Sequence, residues 1–246
     1  MSLESLGSIL KYGKSSLARF ETAETMIPPD LPERLDAAFG TGGLFGKLYA
    51  LARKEIHPDQ FRRVMELEAK AHVIQEYSGQ LVPGLVQTEG YSRALFELHN
   101  PRATANEIQE LVAARLGRQA ALSVDPAPDF SMILDEAVLR RSFGTPEVMR
   151  KQLARLLDVM LVPTNIVQVL PFAHGGHAMA GGSVRLMTLE DGTQVVWEEN
   201  SVTGKLTEEK HSVSARHRTY DLLRACALSP KETAAMIRSA MEALTL

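Results

Sequence analysis

The sequence predicts an α+β protein: an all-α N-terminal part that forms a partial helix-turn-helix domain, then a larger domain mixing helices with a β-sheet. Three observations predict this. Apolar residues recur at helical spacing through the first forty positions, the pattern changes to short apolar runs of strand length from Asp129, and one strongly amphipathic segment separates two of those runs.

Ser2–Leu10 places Leu3, Leu6, Ile9 and Leu10 on one helical face, with Ser2 or Ser5 available as caps. Lys11-Tyr12-Gly13 interrupts the pattern, and Lys14–Thr22 resumes it through Leu17 and Phe20. Pro28-Pro29-Asp30 breaks the chain, and Asp30 is expected to cap a third helix whose Leu31, Leu35 and Phe39 lie four apart on one face. Gly40-Thr41-Gly42-Gly43 is taken as the domain boundary, giving domains 1–40 and 41–246. Those glycines follow no strand and lack dinucleotide-loop spacing.

Helices are expected over Leu44–Lys54, Pro58–Lys70, Thr88–Leu98 and Thr104–Leu122, with a strand at His72–Tyr77. Phe130–Leu134, Ile166–Leu170, Val184–Leu189 and Gln194–Glu198 read as further strands, and Asp191-Gly192 as the turn of a hairpin. Thr145–Leu161 is the amphipathic helix between the first two of these, and Glu208–Ala227 and Pro230–Leu244 close the chain as helices.

The chain of 246 residues carries a net charge of −3, with four basic and six acidic residues among the first forty. Phosphate contact must therefore come from a local cluster, Lys11, Lys14 and Arg19, and not from a general basic field. No run approaches the roughly 18 apolar residues of a membrane span and no signal core is present, so a cytoplasmic location and no membrane partner are expected. The single cysteine, Cys226, excludes an intramolecular disulfide and is expected to be a small buried residue.

The two short N-terminal helices fit the second half of a helix-turn-helix, in which Lys14, Ser15, Ser16 and Arg19 face DNA while Leu17 and Phe20 pack inward. An ordinary helical hairpin with a solvated face fits the same spacing. His174 and His177 sit in a glycine-rich loop with no thiol or carboxylate at ligand spacing, so no metal and no cofactor are expected. Asp135-Glu136 and Glu198-Glu199 end strands, where Arg140 and Arg141 offer the first pair a structural partner, and no nucleophile accompanies them, so no catalytic residue is assigned. A small-molecule effector is expected between the sheet and the loop Ala173–Ser183, with His177 and Met179 swinging over the sheet edge, Trp197 as an apolar wall and Glu198 at its margin; Trp197 as plain core, with the loop a disordered connection, is the alternative.

Three stretches carry a family resemblance. They are Leu67-Glu68-Ala69 with Gln80-Leu81-Val82-Pro83-Gly84-Leu85-Val86-Gln87-Thr88-Glu89-Gly90-Tyr91, then Leu134-Asp135-Glu136-Ala137-Val138-Leu139-Arg140-Arg141, then Val167-Gln168-Val169-Leu170-Pro171-Phe172-Ala173. Val148-Met149-Arg150-Lys151-Gln152-Leu153 joins the last two. Together they resemble the actinobacterial Xre-type helix-turn-helix regulators with a long C-terminal domain of unknown function. The resemblance implies a DNA-binding transcriptional regulator of toxin–antitoxin-like kind, a small partner protein, and a C-terminal domain that senses or binds something. It aligns Ser2–Leu10 with the family's second helix and Lys14–Glu21 with its recognition helix. The first helix has no counterpart here, and Lys11 stands where the family usually has glycine. A homodimer follows from the two-fold symmetry of helix-turn-helix operators. A ligand-binding module or a recruited biosynthetic enzyme that has lost DNA binding are the alternatives.

Overall fold

The computed structural model describes residues 2–22, 27–54, 59–200 and 203–244. The protein is α+β and divides into two compact units, Met1–Pro58 and Asp59–Leu246.

The first unit contains α1 (Leu3–Leu10), α2 (Lys14–Glu21), α3 (Leu31–Phe39) and α4 (Leu44–Lys54). Ser2 caps α1 by accepting from Ser5 N, as its position suggests. Leu10, Leu17 and Leu31 form the buried centre, surrounded by Leu3, Leu6, Phe20 and Leu35. Two expectations are corrected here. Asp30 does not cap α3, because its carboxylate is taken by Tyr12 Oη at 3.0 Å and Arg34 at 2.8 Å. Phe39 is half exposed and rests on Phe45, because a four-residue step overshoots the 3.6-residue turn and swings it about 80° off the line of Leu31. The glycine turn at 40–43 lies inside this unit: Asp36 accepts from Thr41, Phe45 N and Gly46 N and so ties the end of α3 to the start of α4.

The second unit starts with α5 (Asp59–Glu68); Pro58, the expected start of that helix, lies outside the described residues. Then follow β1 (Ala71–Ser78), α6 (Glu89–His99), α7 (Ala105–Arg118), β2 (Asp129–Asp135), α8 (Glu136–Arg140), α9 (Pro146–Val159) and β3 (Asn165–Leu170). The chain continues through β4 (Ser183–Leu189), β5 (Gln194–Glu199), β6 (Gly204–Thr207), α10 (Lys210–Cys226) and α11 (Pro230–Glu242). One mixed sheet of order β3-β2-β1-β4-β5-β6 results, with β1, β2 and β3 parallel and the remaining neighbours antiparallel. The β4–β5 turn is the expected hairpin, with Gly192 at φ 81° and Asp191 Oδ1 accepting from Thr193 N.

Alternation along the strands makes two cores. Ile74, Met132, Leu134, Val169, Met187, Val195 and Trp197 face α5, α6, α9 and α11. Ile133, Leu170, Val184, Leu186 and Val196 face Val213, Tyr220 and Leu223 of α10. Among the described helices α10 supplies that second face, joined by Met179 from the segment after β3. Cys226, expected to be buried, is exposed, because the last turns of α10 turn Leu223 to the sheet and Cys226 outward.

The Gln80–Tyr91 stretch is structural. Gln87 donates to Val82 O and accepts from Ser92 and Arg115, Gln119 donates to Gln87 O, and Gln152 bridges Thr88 N and Val86 O. Buried backbone in a loop needs such partners. No described helix is long and apolar enough to cross a membrane.

Candidate functional site

In the first unit the turn between α1 and α2 is tight. Tyr12 N donates to Gly7 O at 3.1 Å, Lys11 is left-handed at φ 58°, and a Cβ on Gly7 would lie 2.6 Å from Tyr12 O. Only glycine lets the two helices approach this closely. Leu17 is thereby buried, and Lys14, Ser15 and Arg19 are exposed on α2, with Ser16 half-buried beside them. Lys14 pairs with Glu4 at 2.7 Å, both side chains being well exposed. Such a pair stabilises little and yields to a stronger anion.

In the second unit, Tyr77 and Asp135 stand at the C-terminal ends of the parallel strands β1 and β2, the edge where open sheets of this kind receive ligands. The loop that follows β3 is held over that edge. His177 Nε2 lies 3.1 Å from Tyr77 Oη and 3.8 Å from Asp135 Oδ2, and Met179 N donates to Nδ1 at 3.3 Å. With Nδ1 accepting, the neutral ring carries its proton on Nε2. Burial, and then the charge of Asp135, raise the pKa of Tyr77, so it stays a neutral phenol. Glu136 Oε2 accepts from Phe172 N and Oε1 from Arg140, and Asp135 Oδ1 caps α8 through Ala137 N. Of the two acids of the Leu134–Arg141 stretch, Glu136 therefore fastens the loop and Asp135 starts α8.

Beyond this clamp lies a cleft of about 390 Å³, within the roughly 300–1,000 Å³ of small-molecule sites. Met179 and Val184 form an apolar wall, and Glu198, Lys205 and Arg216 supply charge, while the Glu199 carboxylate turns to Trp197 on the opposite face. Arg216 Nε meets Glu198 Oε1 at 2.8 Å. A Cβ on Gly182 would lie 2.4 Å from Glu199 O, so the loop backbone seats directly on β5.

Of the residues expected here, Met179 and Glu198 line the cleft, and His177 and Trp197 do not. His177 is pinned between Tyr77 and Asp135 instead of swinging, its side chain 7% exposed. Trp197 faces the other core, packed on Phe61, because neighbouring strand residues point to opposite faces. Its Nε1 still donates to Glu199 Oε2 at 3.3 Å, which couples it to the cleft. Sequence reading missed Lys205 and Arg216. The first sits on a four-residue strand with no apolar run, and the second on the polar side of a long helix. His174 and His177 stand with ring centroids 6.5 Å apart, and among the described residues no cluster of three His, Cys, Asp or Glu offers a metal site.

α10 brings Arg216 to this place, and Glu209 starts it by accepting from His211 N and Ser212 N. Hydrogen bonds from Ser212 and then from the His211 backbone lower the Glu209 pKa from 4.5 to about 2. Because the folded value is depressed, this cap contributes stability above 4.5 and loses it as pH falls toward about 2. The amide resonances of His211 and Ser212 are expected to titrate with that depressed midpoint and to lose the titration in Glu209→Ala; a midpoint near 4.5 contradicts the cap.

A family model described as a domain of unknown function, DUF5753, matches residues 61–239. No curated protein and no solved structure matches the chain.

Proposed function

We propose that this chain, which belongs to the DUF5753 family, is a DNA-binding transcriptional regulator of the actinobacterial Xre type, with α2 as its DNA-reading helix and the mixed unit as its sensing part. The observation that carries this reading is the α1–turn–α2 geometry. Gly7 and the left-handed Lys11 bring two short helices together so that Leu17 is buried while Lys14, Ser15 and Arg19 stand outward from α2. Recognition helices present their first residues to base edges and phosphates in this way. A cytoplasmic homodimer, met by a small partner protein and by a small-molecule effector in the cleft, completes the reading.

The test is salt-dependent binding of the full chain to a random-sequence duplex by fluorescence anisotropy. Each lost phosphate contact flattens log K against log salt by about 0.9, so Lys14→Ala with Arg19→Ala is expected to reduce the slope by roughly 2. An unchanged slope removes α2 from the interface. The second reading, a ligand-binding module that does not touch DNA, draws support from the cleft, which lies wholly within the second unit.

A further inference from the structure

We infer that the cleft between the 178–184 segment and β5 takes a small zwitterion, a free amino acid or short peptide with an ammonium at one end and a carboxylate at the other. This rests on the sensing role proposed above and gives it a ligand class. Two cations and one carboxylate face the cavity, the Glu199 carboxylate being held on the opposite face of the sheet by Trp197 Nε1. Glu198 and Lys205 are register partners on β5 and β6 and share a face of the sheet, and Arg216 reaches in from α10. Arg216 engages Glu198, whereas Lys205 is exposed and makes no ion pair among the described residues. One cation is therefore open to an incoming carboxylate, and a second is held by a contact that solvent already reaches, with side chains 44% and 31% exposed. Opening that contact costs little.

The balance of charges selects the ligand. A simple anion that draws Arg216 away leaves Glu198 without its partner, a simple cation meets Lys205 and Arg216, and a purely apolar molecule desolvates the charges with nothing in return. A molecule with both charges places its carboxylate between Lys205 and Arg216 and its ammonium against the freed Glu198. Its side chain then lies on Met179 and Val184. The Gly182 backbone, seated on the Glu199 carbonyl, fixes the narrow side. Trp197 is the single tryptophan of the chain, and its Nε1 hydrogen bond to Glu199 makes it a reporter of occupancy from outside the cleft.

The experiment titrates the full chain with the twenty free amino acids and glycyl-leucine, reading Trp197 emission and heat. Each binder is then compared with its N-acetyl and C-amide derivatives. At least one zwitterion is expected to bind and change the emission, and blocking either end to weaken it roughly tenfold or more, the worth of a charge-assisted hydrogen bond. Lys205→Gln, an exposed position whose replacement leaves the fold intact, and Glu198→Gln are expected to weaken binding similarly, while Lys231→Gln on α11 does not. No binding by any member, equal binding of the blocked forms, or full binding by Lys205→Gln and Glu198→Gln overturns the inference. DNA takes no part in the titration. A failure of DNA binding alone leaves the ligand class standing, and a failure here alone leaves the DNA-reading helix standing.

Discussion

Arg185→Met is expected to destabilise the protein by about 3–5 kcal/mol, the cost of leaving buried charge without its partner. Arg185 stands on β4 facing the helix-rich core, where Nε and one terminal nitrogen each meet Glu76 at 3.0 Å and the other terminal nitrogen meets Glu68. Arg118 of α7 closes the set by donating to both oxygens of Glu68. Two guanidiniums and two carboxylates thus balance, all with side chains 9% exposed or less. Burial works to lower the Arg185 pKa, but Glu76 and Glu68 outweigh it and the value is raised, so the arginine stays charged. Methionine keeps the stem's bulk and removes the charge, which leaves Glu76 buried with no cation in contact. Burial already pushes the Glu76 carboxyl above its ordinary 4.5, and without Arg185 less opposes that push. A group whose folded pKa is raised contributes stability below its unfolded value and loses it as pH rises through the folded value. The variant's melting temperature is therefore expected to rise relative to wild type as pH falls from about 7 toward about 5. Urea and thermal unfolding check both parts; a loss under about 1 kcal/mol with no pH effect contradicts the network's role.

Gly204→Ala is the second large effect. A Cβ there would lie 2.1 and 2.2 Å from Trp197 Cζ2 and Cη2. The indole has nowhere to retreat, being 6% exposed and set edge-on to Phe61 at 6.0 Å between ring centroids. Overpacking of this kind costs about 1–3 kcal/mol. Only one short strand holds the edge, so relief is expected to come from β6 pulling off β5, which carries Lys205 away from Glu198 and admits water to the indole. A red-shifted native emission and a lower urea midpoint are the expected readings. Unchanged emission and midpoint contradict the packing.

The two cores were largely legible, because Phe130, Met132 and Leu134 alternate with Ser131, Ile133 and Asp135, and Asp191-Gly192 admits little but a hairpin. β6 was not. Gly204-Lys205-Leu206-Thr207 has the length and composition of a loop and becomes a strand only by pairing with β5. The cleft shows the same division. Met179 and Glu198 were legible from the glycine-rich loop and the hairpin, but Arg216 enters through the way α10 crosses the sheet, which no local pattern encodes. Of the two readings of Trp197, wall of the cleft or plain core, the structure supports the core, which the two-residue period of a strand already favours once Glu198 faces the cleft.

The central claim, that α2 reads DNA, is tested most directly by selecting duplexes from a randomised pool with the full chain and sequencing what is retained. The account predicts a recurring sequence, and its disappearance when Lys14 and Arg19 are both replaced by alanine. Retention of duplexes with no recurring sequence, or the same sequence recovered by the double variant, would contradict it.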